Sequence, residues 1–155
     1  MFFSFIGSTT VEENQKPTLY FENTLTGEKE IFTPLRQDFV RLYNCGPTVY
    51  DYATVGNMRS YVVADLVRRT LRYNGYKVKQ VTNLTDIGHI VGDQDHGDDK
   101  MVTAVTREGE EMNLDGLRRV ADKYIAAFME DLQALNILKP HVMPRPSECI
   151  PQQIA

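Results

Sequence analysis

The residues best suited to chemistry fall in two short loops. Cys45 closes the β-forming run Phe39-Val40-Arg41-Leu42-Tyr43-Asn44, which Gly46-Pro47 stops abruptly. An exposed thiol at that point is a soft metal ligand, whereas a buried one is a small hydrophobe, the commoner fate of an isolated cysteine. From there the chain runs through Thr48, Tyr50, Asp51 and Tyr52 to Thr54-Val55-Gly56-Asn57, where a helical pattern begins. Free amides at a helix start favour an anion such as phosphate, and Gly56 lets a ligand approach the backbone closely. As a bare pattern the same residues are an ordinary loop-to-helix junction. The second loop, Asn83-Leu84-Thr85-Asp86, adds a hydroxyl and a carboxylate.

Further clusters carry less. His89, Asp93, Asp95, His96, Asp98 and Asp99 are all metal-ligating types, but the calcium-loop pattern fails at Gly97, Asp98 and Ala104, and a solvated loop accounts for them. Arg68, Arg69 and Arg72 near a helix C-terminus answer to the helix dipole and solvation, and Tyr124 and Phe128 to a core face.

Elements must hold the two loops in place. Thr18 to Asn23 and Glu30 to Thr33 flank Thr26-Gly27, which predicts a peripheral hairpin. Phe39 to Asn44 predicts a strand with Cys45 at its C-terminal end. Val63, Leu66, Val67, Thr70 and Leu71 recur at helical spacing between Gly56 and Asn74, with Gly75 as terminator, and Tyr76 to Thr82 predicts a second strand. A strand, helix, strand order closes as a parallel unit, so the fold class is α/β, the first half of a doubly wound parallel sheet. In such sheets ligands bind beyond the strands' carboxyl ends, which brings 45–57 and 83–89 to one crevice.

Downstream, Asp98 caps a helix reaching Glu108, stopped by Gly109. A longer helix starts near Asn113, and its face of Leu114, Leu117, Ala121, Tyr124, Ile125, Phe128, Leu132 and Leu135 is expected to bury against the sheet until Pro140 closes it. Ser147 to Ala155 reads as a helix cut short after a capping serine. Residues 1–17 read as a loose tail and 18–155 as part of one domain, with unpaired sheet edges that predict an incomplete unit.

Composition sets the outer bounds. With 42% hydrophobic and 25% charged residues the chain is expected to be globular rather than disordered or membrane-spanning. Its 17 Lys+Arg against 21 Asp+Glu give a net charge of -4, unlike an autonomous nucleic-acid binder. Met1-Phe2-Phe3-Ser4-Phe5-Ile6-Gly7 lacks the basic flank and length of a secretory signal, and Cys45 and Cys149 are too far apart in sequence for a metal knuckle or a disulfide framework. A reducing, cytoplasmic setting with no disulfide partner and no membrane is the expectation.

The segment Cys45-Gly46-Pro47-Thr48-Val49-Tyr50-Asp51 resembles the Cys-Gly-Pro-Thr-Val-Tyr-Asp segment of the cysteinyl-tRNA synthetases, class I enzymes whose His-x-Gly-His signature falls on Thr54-Val55-Gly56-Asn57. Asn23-Thr24-Leu25-Thr26-Gly27, Asn83-Leu84-Thr85-Asp86-Ile87, Asp98-Asp99-Lys100, Ala134 to Leu138 and Met143-Pro144-Arg145 resemble further family segments in order, across 18–155. The resemblance implies a class I Rossmann-like catalytic domain, truncated at its C-terminal side, that joins L-cysteine to tRNA(Cys) at the expense of ATP with Mg2+. It implies catalytic and ATP-binding roles for Thr54 and Asn57, with Gly56 also at the nucleotide, and cysteine-substrate contacts from Gly46, Thr48 and Thr85. It makes Cys45 the first of four ligands to a Zn2+ that takes the substrate thiolate, the other three lying beyond this chain. Zinc binds sulfur far better than a hydroxyl, which would select cysteine over serine. Threonine at position 54 departs from the family's usual histidine. Two other readings fit the same residues: a cysteine ligase acting on an aminosugar, and a non-catalytic remnant that binds nucleotide or a partner.

Overall fold

The computed structural model describes residues 17–87 and 100–154. The expected tail up to residue 16, the acidic and histidine cluster at 89–99 and the cap at Asp98 lie outside the described residues. Elements follow in the order β1 (Tyr20–Asn23), β2 (Glu28–Ile31), β3 (Phe39–Asn44), α1 (Val55–Tyr73), β4 (Lys77–Thr82), α2 (Lys100–Glu108), α3 (Leu114–Ala134), a 3-10 turn (Pro146–Glu148) and α4 (Ile150–Ile154).

The strands β1 and β2 form an antiparallel pair in which Tyr20 faces Ile31. Its turn is set by Gly27 at φ 71°, whose N–H donates to the Asn23 carbonyl at 2.7 Å. The pair is less peripheral than its sequence predicts. Phe21 and Phe32 meet edge to face at 5.4 Å, and Phe32 meets Tyr76 at 5.7 Å, so the hairpin covers a small core of Val40, Leu71 and Val78.

As expected, β3 and β4 pair in parallel, from Phe39 opposite Lys77 to Asn44 opposite Thr82. The outer edge of β4 is not left bare as the sequence predicts. Val142 bridges Val81 in parallel, His141 N–H donates to the Gln80 carbonyl at 3.0 Å, and Thr82 N–H donates to the Val142 carbonyl at 3.0 Å. A backbone edge exposes unpaired donors and acceptors, and residues 141–144 satisfy part of it.

Between the strands, α1 ends in a Schellman motif: Tyr76 N–H donates to the Leu71 carbonyl and Gly75 N–H to the Arg72 carbonyl, both at 3.0 Å, with Gly75 at φ 81°. The buried face of α1 differs from the expected one. Met58, Tyr61, Ala64, Asp65, Arg68 and Leu71 are buried, while Val63 and Leu66 are more than half exposed. The reason is Arg68, whose Nη1 donates to Gln80 Oε1 (3.1 Å) and to the Leu138 and Lys139 carbonyls (3.2 and 2.9 Å). Asp65 supports the same turn by accepting from Leu138 N–H (3.1 Å) and Arg69 Nε (2.5 Å). A buried charge is tolerated when paired, and these two pull their own stripe inward.

Two further expectations change. α3 ends not at Pro140 but in a second Schellman motif, where Asn136 adopts φ 54° and Ile137 N–H donates to the Leu132 carbonyl at 2.8 Å. Its apolar face does not bury against the strands. Val120, Ala121, Tyr124, Phe128 and Leu132 join Met101, Ala104 and Val105 of α2, Met58 and Tyr61 of α1, and Val49 and Leu84 from the loops beyond β3 and β4. Leu114 and Leu135 are about half exposed. The larger core therefore sits beneath the carboxyl ends of the strands, under the two chemically loaded loops. Ser147 does not cap α4 as expected. Its N–H and Oγ both donate to buried Asp86, at 3.1 and 2.5 Å, and α4 starts after Cys149, whose carbonyl accepts from Gln153 N–H.

Candidate functional site

The two loops are zipped together beyond the strand ends. Thr48 bridges Thr85 in parallel, with Val49 N–H donating to the Thr85 carbonyl (3.0 Å) and Thr85 N–H to the Pro47 carbonyl (2.9 Å). Gly46 N–H donates to Asn83 Oδ1 at 2.9 Å, which also accepts from Tyr43 Oη at 3.0 Å. Asn83 Nδ2 in turn donates to Thr85 Oγ1 at 2.8 Å. A Cβ on Gly46 would lie 1.5 Å from the Asn83 carbonyl oxygen, so the close approach of the loops itself requires glycine.

Above this seam opens a cavity of about 240 Å³ lined by Gly46, Thr48, Asn57, Tyr61 and Lys100 and walled by Tyr50, Asp51 and Tyr52. Three of the residues singled out by sequence, Gly46, Thr48 and Asn57, thus share one cavity. Thr85 supports it from the seam. Cys45 is an exposed free thiol at the end of β3, next to Gly46. Among the described residues no group of three or more His, Cys, Asp or Glu side chains is placed to hold a metal ion. Cys45 therefore offers one soft donor, and the described residues do not complete a tetrahedral zinc site.

Thr54 and Asn57 are bound to each other. Thr54 Oγ1 accepts from Asn57 N–H (3.2 Å), Asn57 Oδ1 accepts from Thr54 N–H (2.9 Å), and the Thr54 hydroxyl donates to Asn57 Oδ1 (2.7 Å). This capping box fixes the start of α1 at Thr54. It leaves the N–H groups of Val55 and Gly56, in the first turn, without an intrahelical acceptor. No acidic residue occupies that turn, so nothing on the helix itself offsets its positive end. A Cβ at Gly56 would meet only Thr54 Oγ1, at 3.6 Å. The fold makes no demand for glycine at 56, and the open space there suits a ligand drawn close to the backbone.

Sequence reasoning missed three participants. Tyr61 lies one helical turn beyond Asn57, and burial, then the neighbouring Cys45, pushes its pKa up to about 12. Its hydroxyl stays protonated and able to donate at neutral pH. Lys100 places Nζ 5.1 Å from the Tyr50 ring centroid, a cation–π contact, and brings a positive charge to the cavity. The Asp-Asp-Lys segment was the available signal. Arg107 joins the wall from outside: Nη2 donates to the Tyr50 carbonyl (2.7 Å) and Tyr124 Oη (2.8 Å), and Nη1 to Asp51 Oδ2 (3.2 Å). Nothing in its local sequence marks it.

The cavity itself presents the hydroxyls of Thr48 and Tyr61 and the Lys100 ammonium, while Cys45, Thr54 and Gly56 border its lining residues in sequence and are not among them.

Comparison with known proteins supplies the context. The sequence model of a family described as tRNA synthetases class I (C) catalytic domain matches residues 31–155. A protein of Salinibacter ruber named cysteine–tRNA ligase is 45% identical over 141 residues, covering 89% of this chain and 27% of that protein. A Treponema pallidum (strain Nichols) protein of the same name is 45% identical over 133 residues, 86% of this chain and 25% of its own. Cysteine–tRNA ligase 1 of Burkholderia lata is 47% identical over 124 residues, covering 80% of this chain and 25% of that protein. The chain spans about a quarter of the length of these relatives.

Proposed function

The chain belongs to the family of class I (C) tRNA synthetase catalytic domains, and from that premise we propose that it forms the N-terminal part of a cysteine–tRNA ligase active site. In that reading the paired β3 and β4 begin a doubly wound, Rossmann-like sheet, with 18–155 as part of the catalytic domain and 1–17 as a flexible tail. The observation that carries the proposal is the shared cavity: Gly46 and Thr48 from the first loop and Asn57 from the helix start line the same 240 Å³ space.

The reaction divides naturally over this surface. A cysteine carboxylate oxygen attacks the α-phosphorus of ATP, the bond to the bridging oxygen breaks, and pyrophosphate leaves. Charge shifts onto phosphate oxygens, so the work of the protein is positioning and charge stabilisation. In this reading the Val55 and Gly56 N–H groups at the head of α1 would meet that charge, with Gly56 open to close approach and Thr54 and Asn57 holding the helix start in place. Gly46, Thr48 and Thr85 shape the amino-acid side of the cavity, and Lys100 contributes a positive charge to the same space. Cys45 would be one donor to a zinc ion, with no further ligand group among the described residues, and zinc, when bound, would supply a soft acceptor for the substrate sulfur. Mg2+ accompanies ATP, and transfer of the cysteinyl group to the terminal ribose of tRNA(Cys) completes the activity. A cytoplasmic setting belongs to the same reading. Among the described residues no helix is long and apolar enough to cross a membrane.

Cysteine-dependent ATP–pyrophosphate exchange by the intact protein that carries this chain tests the reading. Exchange stimulated by cysteine and not by serine is expected. A protein that holds zinc, is folded and exchanges no label with cysteine contradicts it.

A further inference from the structure

The cavity wall Tyr50-Asp51-Tyr52 belongs to neither a helix nor a strand, yet it must keep its shape for the cavity to exist. At one side Val49 is tied to Thr85, and at the other the capping box anchors Thr54. Between these anchors, a local restraint within the wall is Asp51 Oδ1 accepting from Tyr52 N–H at 2.8 Å. Further restraint comes from α2. Lys100 in its first turn lies over the Tyr50 ring, and Arg107 in its last turn holds the Tyr50 carbonyl and the Asp51 carboxylate. Positions seven apart fall on one helix face, so a single stripe of α2 grips the wall at two points.

Arg107 is itself held. Its Nη2 also meets Tyr124 Oη on α3 at 2.8 Å, and Tyr124 Oη donates to Glu108 Oε1 at 2.5 Å, while Lys123 pairs with the other oxygen of Glu108. The Tyr124 ring is buried and meets the Tyr52 ring edge to face at 5.2 Å. The wall is therefore fixed against α2 and α3, the two helices that form the larger core beneath the site. We propose that Arg107 is a positioning residue, which sets the conformation of the Tyr50-Asp51-Tyr52 wall by joining it to Tyr124 on α3. The proposal concerns the cavity's shape; its consequence for ligand binding rests on the function proposed above.

The test uses the full chain and three variants, Arg107→Met, Arg107→Lys and Tyr124→Phe, each read by site-resolved hydrogen exchange and by calorimetric titration with a non-hydrolysable cysteinyl-adenylate analogue. Arg107→Met is expected to speed amide exchange at residues 51–53 about tenfold while leaving β3, β4 and α3 unchanged. Arg107→Lys restores the Asp51 ion pair but cannot also reach the carbonyl and the Tyr124 hydroxyl, so its exchange falls between wild type and Arg107→Met. Tyr124→Phe keeps the ring packing and removes the hydroxyl link, and gives a smaller rise in the same segment. Unchanged exchange at 51–53 in Arg107→Met, or a rise spread evenly over the molecule, overturns the proposal. In the titration, analogue affinity should weaken in the same order as exchange quickens. A wild-type chain that ignores the analogue counts against the proposed function, while the exchange data still decide the role of Arg107.

Discussion

At the scale of single residues, Gly46, Thr54 and Cys45 make different demands. Gly46→Ala places a methyl group 1.5 Å from the Asn83 carbonyl, an overlap that only separation of the two loops relieves. We expect a loss of about 3 kcal/mol or more in urea-induced unfolding, the range reserved for forced backbone movement; a loss below about 0.5 kcal/mol would contradict the observed seam. Thr54→Ala removes half of the capping box and is expected to cost about 1 kcal/mol in the same measurement. In the intact protein, Cys45→Ser should lower zinc content and the preference for cysteine over serine together, and unchanged zinc content would remove Cys45 from the ligand set. Gly46, Thr48 and Asn57 were readable because loop chemistry and family resemblance both point to them. Tyr61 was not, since a tyrosine in a helical pattern carries no mark of the cavity it enters, and Arg107 was not, since its partners Tyr50, Asp51 and Tyr124 are distant in sequence.

At the scale of elements, the limits of β3, β4, α1 and α2 followed sequence, while β2 runs from Glu28 to Ile31 instead of Glu30 to Thr33 because pairing with β1 starts directly after Gly27. Gly75 at φ 81° ends α1, and Gly109 at φ 71° ends α2. Gly75→Ala should cost about 1 kcal/mol through the left-handed conformation alone, with no change in the α1–β4 register by amide shifts. Hydropathy misjudged the inward face of α1 because it scores Asp65 and Arg68 as solvent-facing, whereas Gln80 and the Leu138 and Lys139 carbonyls accept from Arg68 Nη1 inside. The end of α3 was misplaced for a similar reason: Asn136 takes the left-handed position that sequence habit reserves for glycine. The segment 141–144 that pairs with β4 also hides a titration. His141 Nδ1 accepts from Gln80 N–H at 3.0 Å, and Nε2 lies 3.3 Å from Arg68 Nη2. Desolvation of the ring, then the Arg68 and Arg72 charges, lower its pKa below the usual 6.5. The unfolded chain thus takes up the proton first. This contribution to stability is fully present above about pH 6.5 and is lost as pH falls through the lowered folded-state value. Urea midpoints measured between pH 8 and pH 5 should fall more for wild type than for His141→Gln, and parallel curves would deny His141 the role.

For the molecule as a whole, the two cores divide the labour. The smaller one, covered by the hairpin, holds β3, β4 and the end of α1 together, and the larger one of α1, α2 and α3 takes in Val49 and Leu84 from the two loops proposed to form the site. The α/β class and the parallel pair were legible because alternating strand and helix patterns are local. The placement of α3 against α2 and the loop residues Val49 and Leu84, instead of the sheet, was not, because periodicity shows that a face is buried and not what covers it. In the function proposed, the two loops beyond β3 and β4 form one site for cysteine and nucleotide. Titration of the isotope-labelled chain with the cysteinyl-adenylate analogue, followed by amide chemical shifts, tests it most directly. The account predicts shifts concentrated at residues 46–57, Tyr61 and Thr85, with the β1–β2 hairpin silent. Shifts centred elsewhere, or none at millimolar analogue, would contradict it.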